Sequence, residues 1–304
     1  MLDFIKEHTD IKMIYYGHDL HFMREFREYE LTGDVKKRQE SEYWKSIEFS
    51  LFHKVAVSYY PSYVEEEVIH AVDETIPVKA ITAYVYEEFL QNLNKDFAKR
   101  EGLLFVGGFA HPPNADAVLW FAKEVFPKIR EQIKVNFYIV GSKVTDEIKA
   151  LEQPGNGIIV KGFVSEEELA DLYRNCRIVV VPLRYGAGVK GKVVEAIYNG
   201  APIVTTSVGS EGIPDVEKVL LVKDQPDEFA ETVVELYKDE KRLEDLAEKT
   251  QVYIREHFSI DAAWDVIKED FELKNSEKIA KLYMKKKTIT GECASDRFSC
   301  VRII

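Results

Sequence analysis

Residues 177–206 read RIVVVPLRYGAGVKGKVVEAIYNGAPIVTT, and the fold turns on them. Arg177–Leu183 is a continuous apolar run rich in β-branched residues. Continuous runs suit strands buried on both faces of a parallel sheet, whereas half-exposed strands alternate. A loop with Gly186, Gly188 and Gly191 follows. Val193–Asn199 then has helical character and stops at Gly200, with Pro202 just beyond, the usual way for a helix to end. PIVTT (202–206) starts a second strand. Strand, loop, helix, strand predicts an α/β, doubly wound parallel sheet.

The same alternation extends in both directions. Further strand-like runs are IKMIYY (11–16), VAVSYY (55–60), VKAITAY (78–84), LLFVGG (103–108), VNFYIV (135–140), GIIVKGF (157–163) and KVLLV (218–222). Asn114–Gln132 reads as a helix after a Pro-Pro-Asn start, and Ser165–Asn175 opens with a capping box of Ser165 and Glu168. The polar stretch 85–101 reads as a linker or linking helix. Three helices without another strand are expected at about 226–238, 240–256 and 260–273. Lys274–Ile304, with its Lys285–Lys287 run, lacks periodicity and reads as a weakly ordered tail, either solvated or touching a membrane surface.

Composition excludes several classes of function. With 53 acidic against 41 basic residues the chain carries a net charge of −12, which argues against nucleic acid as a partner. The apolar runs fall far short of a membrane span, and the N-terminus MLDFIKEHTD is no secretory signal. Cys176, Cys293 and Cys300 are odd in number and scattered, fitting neither a disulfide framework nor a metal site. A cytoplasmic protein with free thiols is the expectation.

The chemistry concentrates in the glycine-rich loop, at the carboxyl end of a strand, where open α/β sheets bind ligands. Gly186, Gly188 and Gly191 let backbone N–H groups approach an anion, and the positive end of the following helix points there. Lys190 and Lys192 add full charges; Glu195, three residues beyond Lys192, shares its helix face. A carboxylate among anion-binding groups suits a vicinal diol such as a ribose. Phosphate cradle plus diol acceptor describes a nucleotide site. Two other readings remain: a tight loop with solvated lysines, and a P-loop, since residues 186–192 fit G-x-x-x-x-G-K. The P-loop reading is weakened by Val193, which stands where Ser or Thr must hold Mg²⁺.

Taken together, Phe105-Val-Gly-Gly-Phe, Pro113-Asn-Ala-Asp-Ala, Ile139-Val-Gly-Ser, Val160-Lys-Gly-Phe-Val, the loop 186–192, Glu195-Ala and Thr205-Thr-Ser-Val-Gly-Ser-Glu-Gly212 resemble the donor-binding domain of GT-B-fold glycosyltransferases of family 4 (group 1). The resemblance implies sugar transfer from a nucleotide-sugar to an alcohol acceptor, with retention of configuration and without a bound metal or other cofactor. It implies that Glu195 binds the donor ribose, that Gly107 and Gly108 line the cleft beside the diphosphate, and that the loop ending at Phe163 lies near the base. Gly186, Gly188, Val189 and Gly191 complete the expected donor site. The first of the family's two glutamates is replaced by Ala187, and its usual Arg/Lys pair is missing from Gly107–Asn114. Lys190 and Lys192 are the substitutes available to stabilise the leaving diphosphate.

Tyr16-Gly-His-Asp-Leu-His-Phe-Met-Arg-Glu25 resembles a late strand-loop of the acceptor-side domain, and Ser58-Tyr-Tyr-Pro-Ser-Tyr-Val-Glu65 its last strand-and-helix unit. His18 is expected to face the cleft with Asp19 orienting it, although an Asx-type turn with an exposed histidine explains the pair equally well. His21 and Arg24 are weaker candidates. The expected organisation is a partial N-terminal, acceptor-side domain with its linker (1–98), a nucleotide-sugar-binding domain (99–258), a closing helix (259–274) and a basic tail (275–304). The first half of the acceptor-side domain is missing by this reading. The exposed edge then calls for self-association or a complementing chain, and a nucleotide-binding remnant without transferase activity is the alternative function. The acceptor is expected to be a glycan, a lipid-linked sugar or a protein.

Overall fold

The computed structural model describes residues 2–9, 11–186 and 188–271. These residues build two parallel sheets. The smaller contains β1 (Ile14–Tyr16), β2 (Val57–Tyr60) and β3 (Val78–Ala80), in the order β1-β2-β3. The larger contains β4 (Leu103–Val106), β5 (Phe137–Val140), β6 (Ile158–Gly162), β7 (Ile178–Val181), β8 (Ile203–Thr205) and β9 (Leu220–Val222), in the order β6-β5-β4-β7-β8-β9. Every apolar run singled out in the sequence holds one of these strands. The inner strands β2, β7 and β8 are buried at every position, as continuous apolar runs require.

Helices cover the large sheet. Phe121, Phe126, Phe137 and Phe229 form an aromatic cluster between helix and strand, each burial contributing about 1.5–3 kcal/mol. The expected helix 114–132 is present as Pro112–Trp120 and Phe126–Gln132, joined by a π-helical turn over Phe121–Val125. Pro127 accounts for the widened turn: it has no N–H for the Lys123 carbonyl, and the Phe126 N–H reaches back to Phe121 O. Helix Glu166–Asn175 starts as read, with Ser165 Oγ accepting from Glu168 N at 3.1 Å.

Between β1 and β2 the chain forms a helical hairpin, His21–Thr32 and Val35–Phe52. Gly33 turns it at φ +71°, and Asp34 caps the second helix through Lys36 N. Buried Glu48 accepts from His21 N and Phe22 N, so the second helix caps the first.

No helix forms in the linker 85–101. Asn94 Oδ1 takes the Asp96 N–H in a local turn that competes with helical bonding. Phe89, Leu93 and Phe97 anchor the segment on the large core. After helices Pro226–Lys238 and Glu240–His257 the chain returns to the small sheet. Ala263, Val266 and Ile267 of helix Ile260–Ile267, with Phe271, pack on Val57, Tyr59 and Ile81. Asp270 Oδ2 there accepts from Tyr59 Oη and Lys79 Nζ, both at 2.6 Å. The expected end of this helix at 272–274, the tail 275–304 with Lys285–Lys287, and Cys293 and Cys300 lie outside the described residues. No helix among the described residues is long and apolar enough to cross a membrane.

Candidate active site

The strand order locates the cleft. The chain runs β4-β5-β6 to one side, then crosses back to place β7 on the other side of β4. Connections leaving β4 and β7 therefore diverge, and a crevice opens at their carboxyl ends. Gly107 and Gly108 end β4; Gly186, Gly188 and Gly191 follow β7. The two glycine segments, far apart in sequence, flank one opening.

A polar relay joins them. Lys192 Nζ donates to Asn114 Oδ1 at 2.8 Å, and Asn114 Nδ2 donates to Gly108 O at 2.7 Å. The Lys192 ammonium is thereby fixed beside the Gly107–Gly108 turn. Lys190 is buried and curls into its own loop, donating to Gly188 O. Burial lowers both lysines to about 8; nearby Glu211 and Glu65 oppose the shift at Lys190, while the Lys190 charge deepens it at Lys192. Two ammoniums at a helix N-terminus, Lys190 buried and Lys192 half-buried, form a site that favours an anion. His111, at the N-cap of helix Pro112–Trp120, also feels Lys192, and burial and that charge lower its pKa.

Glu195 sits in helix Gly191–Tyr198, and burial raises its carboxyl, with Tyr173 and Lys192 acting the other way. The buried Tyr173 hydroxyl and the Tyr86 ring lie near it, Tyr86 stacking on Tyr198 at 4.1 Å. The glutamate thus has aromatic walls and one lysine. Tyr84 packs against Gly191, where a side chain would collide with its ring.

The small sheet supplies the facing wall. His18 follows β1 and is exposed, its ring edge-on to Tyr16 at 5.6 Å. The Asp19 carboxylate is taken by Arg24 Nη1 at 2.6 Å, so the partner that orients it is Arg24. Gly188, at φ +72°, presses on this wall: a Cβ there would lie 3.3 Å from His18 O, 3.4 Å from Glu65 Oε1 and 3.6 Å from Asp19 Cβ. Arg27 Nη1 clamps the walls together, donating to Gly186 O at 2.9 Å and to Glu211 Oε2 at 2.6 Å. Val189 packs beside Gly212. Phe163 is 82% exposed just past β6.

His18, Asp19, Gly188 and Lys190 are therefore brought together, as are Gly107, Gly108 and Lys192. Sequence reading did not single out Asn114, Glu65 or Arg27 as site residues. Glu65 and Glu211 stood inside quoted motifs, but their convergence on Lys190 depends on how the two sheets face each other. Among the described residues no group of three or more His, Cys, Asp or Glu side chains is placed to hold a metal ion.

Solved proteins share this fold. TarM of S. aureus, solved in complex with fondaparinux, alpha-GlcNAc-glycerol and UDP, superposes with a TM-score of 0.65 at 13% identity over 85% of this chain and 50% of its own. Sucrose-phosphate synthase from Thermosynechococcus elongatus gives 0.64 at 16% identity, over 94% and 70% of the two chains. Anabaena HepE, solved with UDP-glucose, gives 0.63 at 13% identity, over 86% and 72%. In sequence, an uncharacterized 44.6 kDa protein in the cps region of Klebsiella pneumoniae is 29% identical over 184 residues, 58% of this chain and 45% of that protein. The chain thus spans about half the length of that relative and of TarM. The two facing parallel sheets are the GT-B architecture of these glycosyltransferases. Residues 100–239, which hold all six strands of the large sheet and the helices between them, match the model of the glycosyl transferases group 1.

Proposed function

We propose that this chain carries the donor site of a glycosyltransferase that moves a sugar from a nucleotide-diphosphate sugar to an alcohol acceptor, with retention of configuration, in cell-surface polysaccharide or glycoconjugate synthesis. One observation carries the reading: two lysines of lowered pKa, a helix N-terminus and a carboxylate converge at the topological switch point. Lys192, held by Asn114, faces the position of a diphosphate and stabilises the charge that develops as it leaves. Glu195 accepts from the ribose hydroxyls. His18, exposed on the facing wall, is available to donate a hydrogen bond to the donor sugar. That HepE and TarM were solved with UDP or UDP-glucose supports a nucleotide-sugar donor, and the cps-region relative supports a polysaccharide context. A glycan, lipid-linked or protein acceptor fits the same chemistry.

Calorimetry with UDP, GDP, dTDP and ADP, with and without Mg²⁺, tests the donor site. One diphosphate should bind without metal and weaken at least about tenfold in Glu195→Ala, the loss of hydrogen bonds to a charged group. Binding of ATP only with Mg²⁺ would return the loop to the P-loop reading. Binding without transfer to any acceptor would favour the nucleotide-binding remnant.

A further inference from the structure

Glu65 is completely buried, and neither of its carboxyl oxygens has a hydrogen-bond partner. It is, among the described residues, the buried carboxyl left in this condition. Its neighbours have structural tasks. Ser62 Oγ caps helix Tyr63–Val72 by accepting from Val64 N at 3.1 Å, and Glu66 Oε2 accepts from Ala80 N at 2.9 Å. The spacing from Ser62 to Glu65 is that of a capping box, yet the Glu65 oxygens do not close it. On the same wall Asp19 is taken by Arg24, and on the opposite one Glu211 is taken by Arg27.

A buried, unsatisfied polar group costs roughly 1–3 kcal/mol, and an apolar side chain of similar volume would avoid that cost. Beyond the nearby Ser62 hydroxyl, already committed to capping Val64 N, no hydrogen bond in helix Tyr63–Val72 uses the acid, so its use is sought in what the cleft binds. Glu65 Oε1 points at Gly188, beside His18 O, with Lys190 and Glu211 in electrostatic range. Burial raises the carboxyl to about 7; the neighbouring Ser62 hydroxyl opposes this most, Glu211 adds to it, and Lys190 acts against it. Near neutral pH such a group both donates and accepts. That matches a hydroxyl, which does both, and mismatches a phosphate, which only accepts.

We propose that Glu65 is a specificity residue of this cleft, its carboxyl holding hydroxyl groups of the sugar being transferred. The inference rests on the nucleotide-sugar reading above. It divides the ligand among three places: lysines for the diphosphate, Glu195 for the ribose, Glu65 for the sugar. Gly188 lies over the carboxyl, and the sugar reaches it by displacing that backbone, which Lys190 holds through Gly188 O and Arg27 through Gly186 O.

The test compares paired ligands on the whole chain: UDP against UDP-glucose, UDP-galactose and UDP-N-acetylglucosamine, and the corresponding GDP, dTDP and ADP pairs. In Glu65→Met the nucleotide-sugar should bind about 10- to 100-fold more weakly, while the diphosphate alone stays within about twofold. The melting temperature should hold or rise. Glu65→Gln, which keeps one donor and one acceptor, should recover most of the loss, and it serves where the methionine variant does not fold. Equal weakening of both members of a pair, with a lower melting temperature, would show a capping role and overturn the proposal. An unchanged ratio, or a wild type indifferent to the attached sugar, overturns it while leaving the donor site standing. A wild type that binds no member of any pair removes the donor site and this inference together.

Discussion

Arg27 Nη1 lies 2.6 Å from Glu211 Oε2, joining the helix after β1 of the small sheet to the segment after β8 of the large one. The same nitrogen donates to Gly186 O, so one guanidinium holds both the glycine loop and its neighbouring turn against the facing wall. Closure of the cleft is thereby written into a single side chain.

Arg27→Ala should loosen that closure. The pair is about a third exposed on the arginine side, so the expected loss of unfolding free energy is only about 1 kcal/mol by urea titration. Small-angle scattering should show a larger radius of gyration. Lysine should restore little, because it cannot span a carbonyl and a carboxylate in fixed geometry. An unchanged radius would mean that the clamp is dispensable.

Gly188→Ala and Gly33→Ala separate backbone strain from crowding. Both glycines have φ near +70°, but nothing lies within 4 Å of a Cβ at Gly33, whereas Gly188 meets His18 O and Glu65. The shared strain costs roughly 1–2 kcal/mol in each. Only Gly188→Ala should also weaken binding of the nucleoside diphosphate, measured by calorimetry; equal effects on binding would refute the contact.

Diphosphate affinity should fall as pH rises from 7 to 9. Lys190 and Lys192 are lowered to about 8, so each is mostly protonated below that value and mostly neutral above it. Neutral amines give up their attraction for an anion. Lys192→Met should bind weakly at both pH values and show a flatter profile; an equally steep profile in that variant would assign the effect elsewhere.

Glu65 should leave a mark on stability as well. Its carboxyl is raised from 4.5 to about 7, so between these values the folded chain holds a proton that the unfolded chain has lost. Stability therefore declines as pH rises through this window. Glu211 and Lys190 face the same carboxyl and are retained in Glu65→Gln, so the difference between wild type and variant isolates residue 65. Parallel melting curves across pH 4.5 to 7 would show that Glu65 titrates normally.

The strands of both sheets were legible because each is a short apolar run bounded by turn residues, a local signal read without the fold. The glycine loop and Glu195 were legible for the same reason, since backbone freedom and helix position are encoded within ten residues. Over 85–101 the sequence left linker and linking helix open, and the structure shows no helix there: Phe89, Leu93 and Phe97 recur four apart but serve as separate anchors on the large core. The helical hairpin 21–52 was passed over because the reading followed the strands.

Sequence alone determined the βα alternation, the position of the glycine-rich loop and the charges available near it, because backbone conformation and side-chain chemistry are properties of neighbours along the chain. Tertiary structure decided which charges meet. Asn114 reaches Lys192 across 78 residues, Arg27 reaches Glu211 across 184, and Glu65 is stranded without a partner under Gly188. The cost of a buried charge depends on what surrounds it in space, and that is fixed only when the two sheets come to face each other.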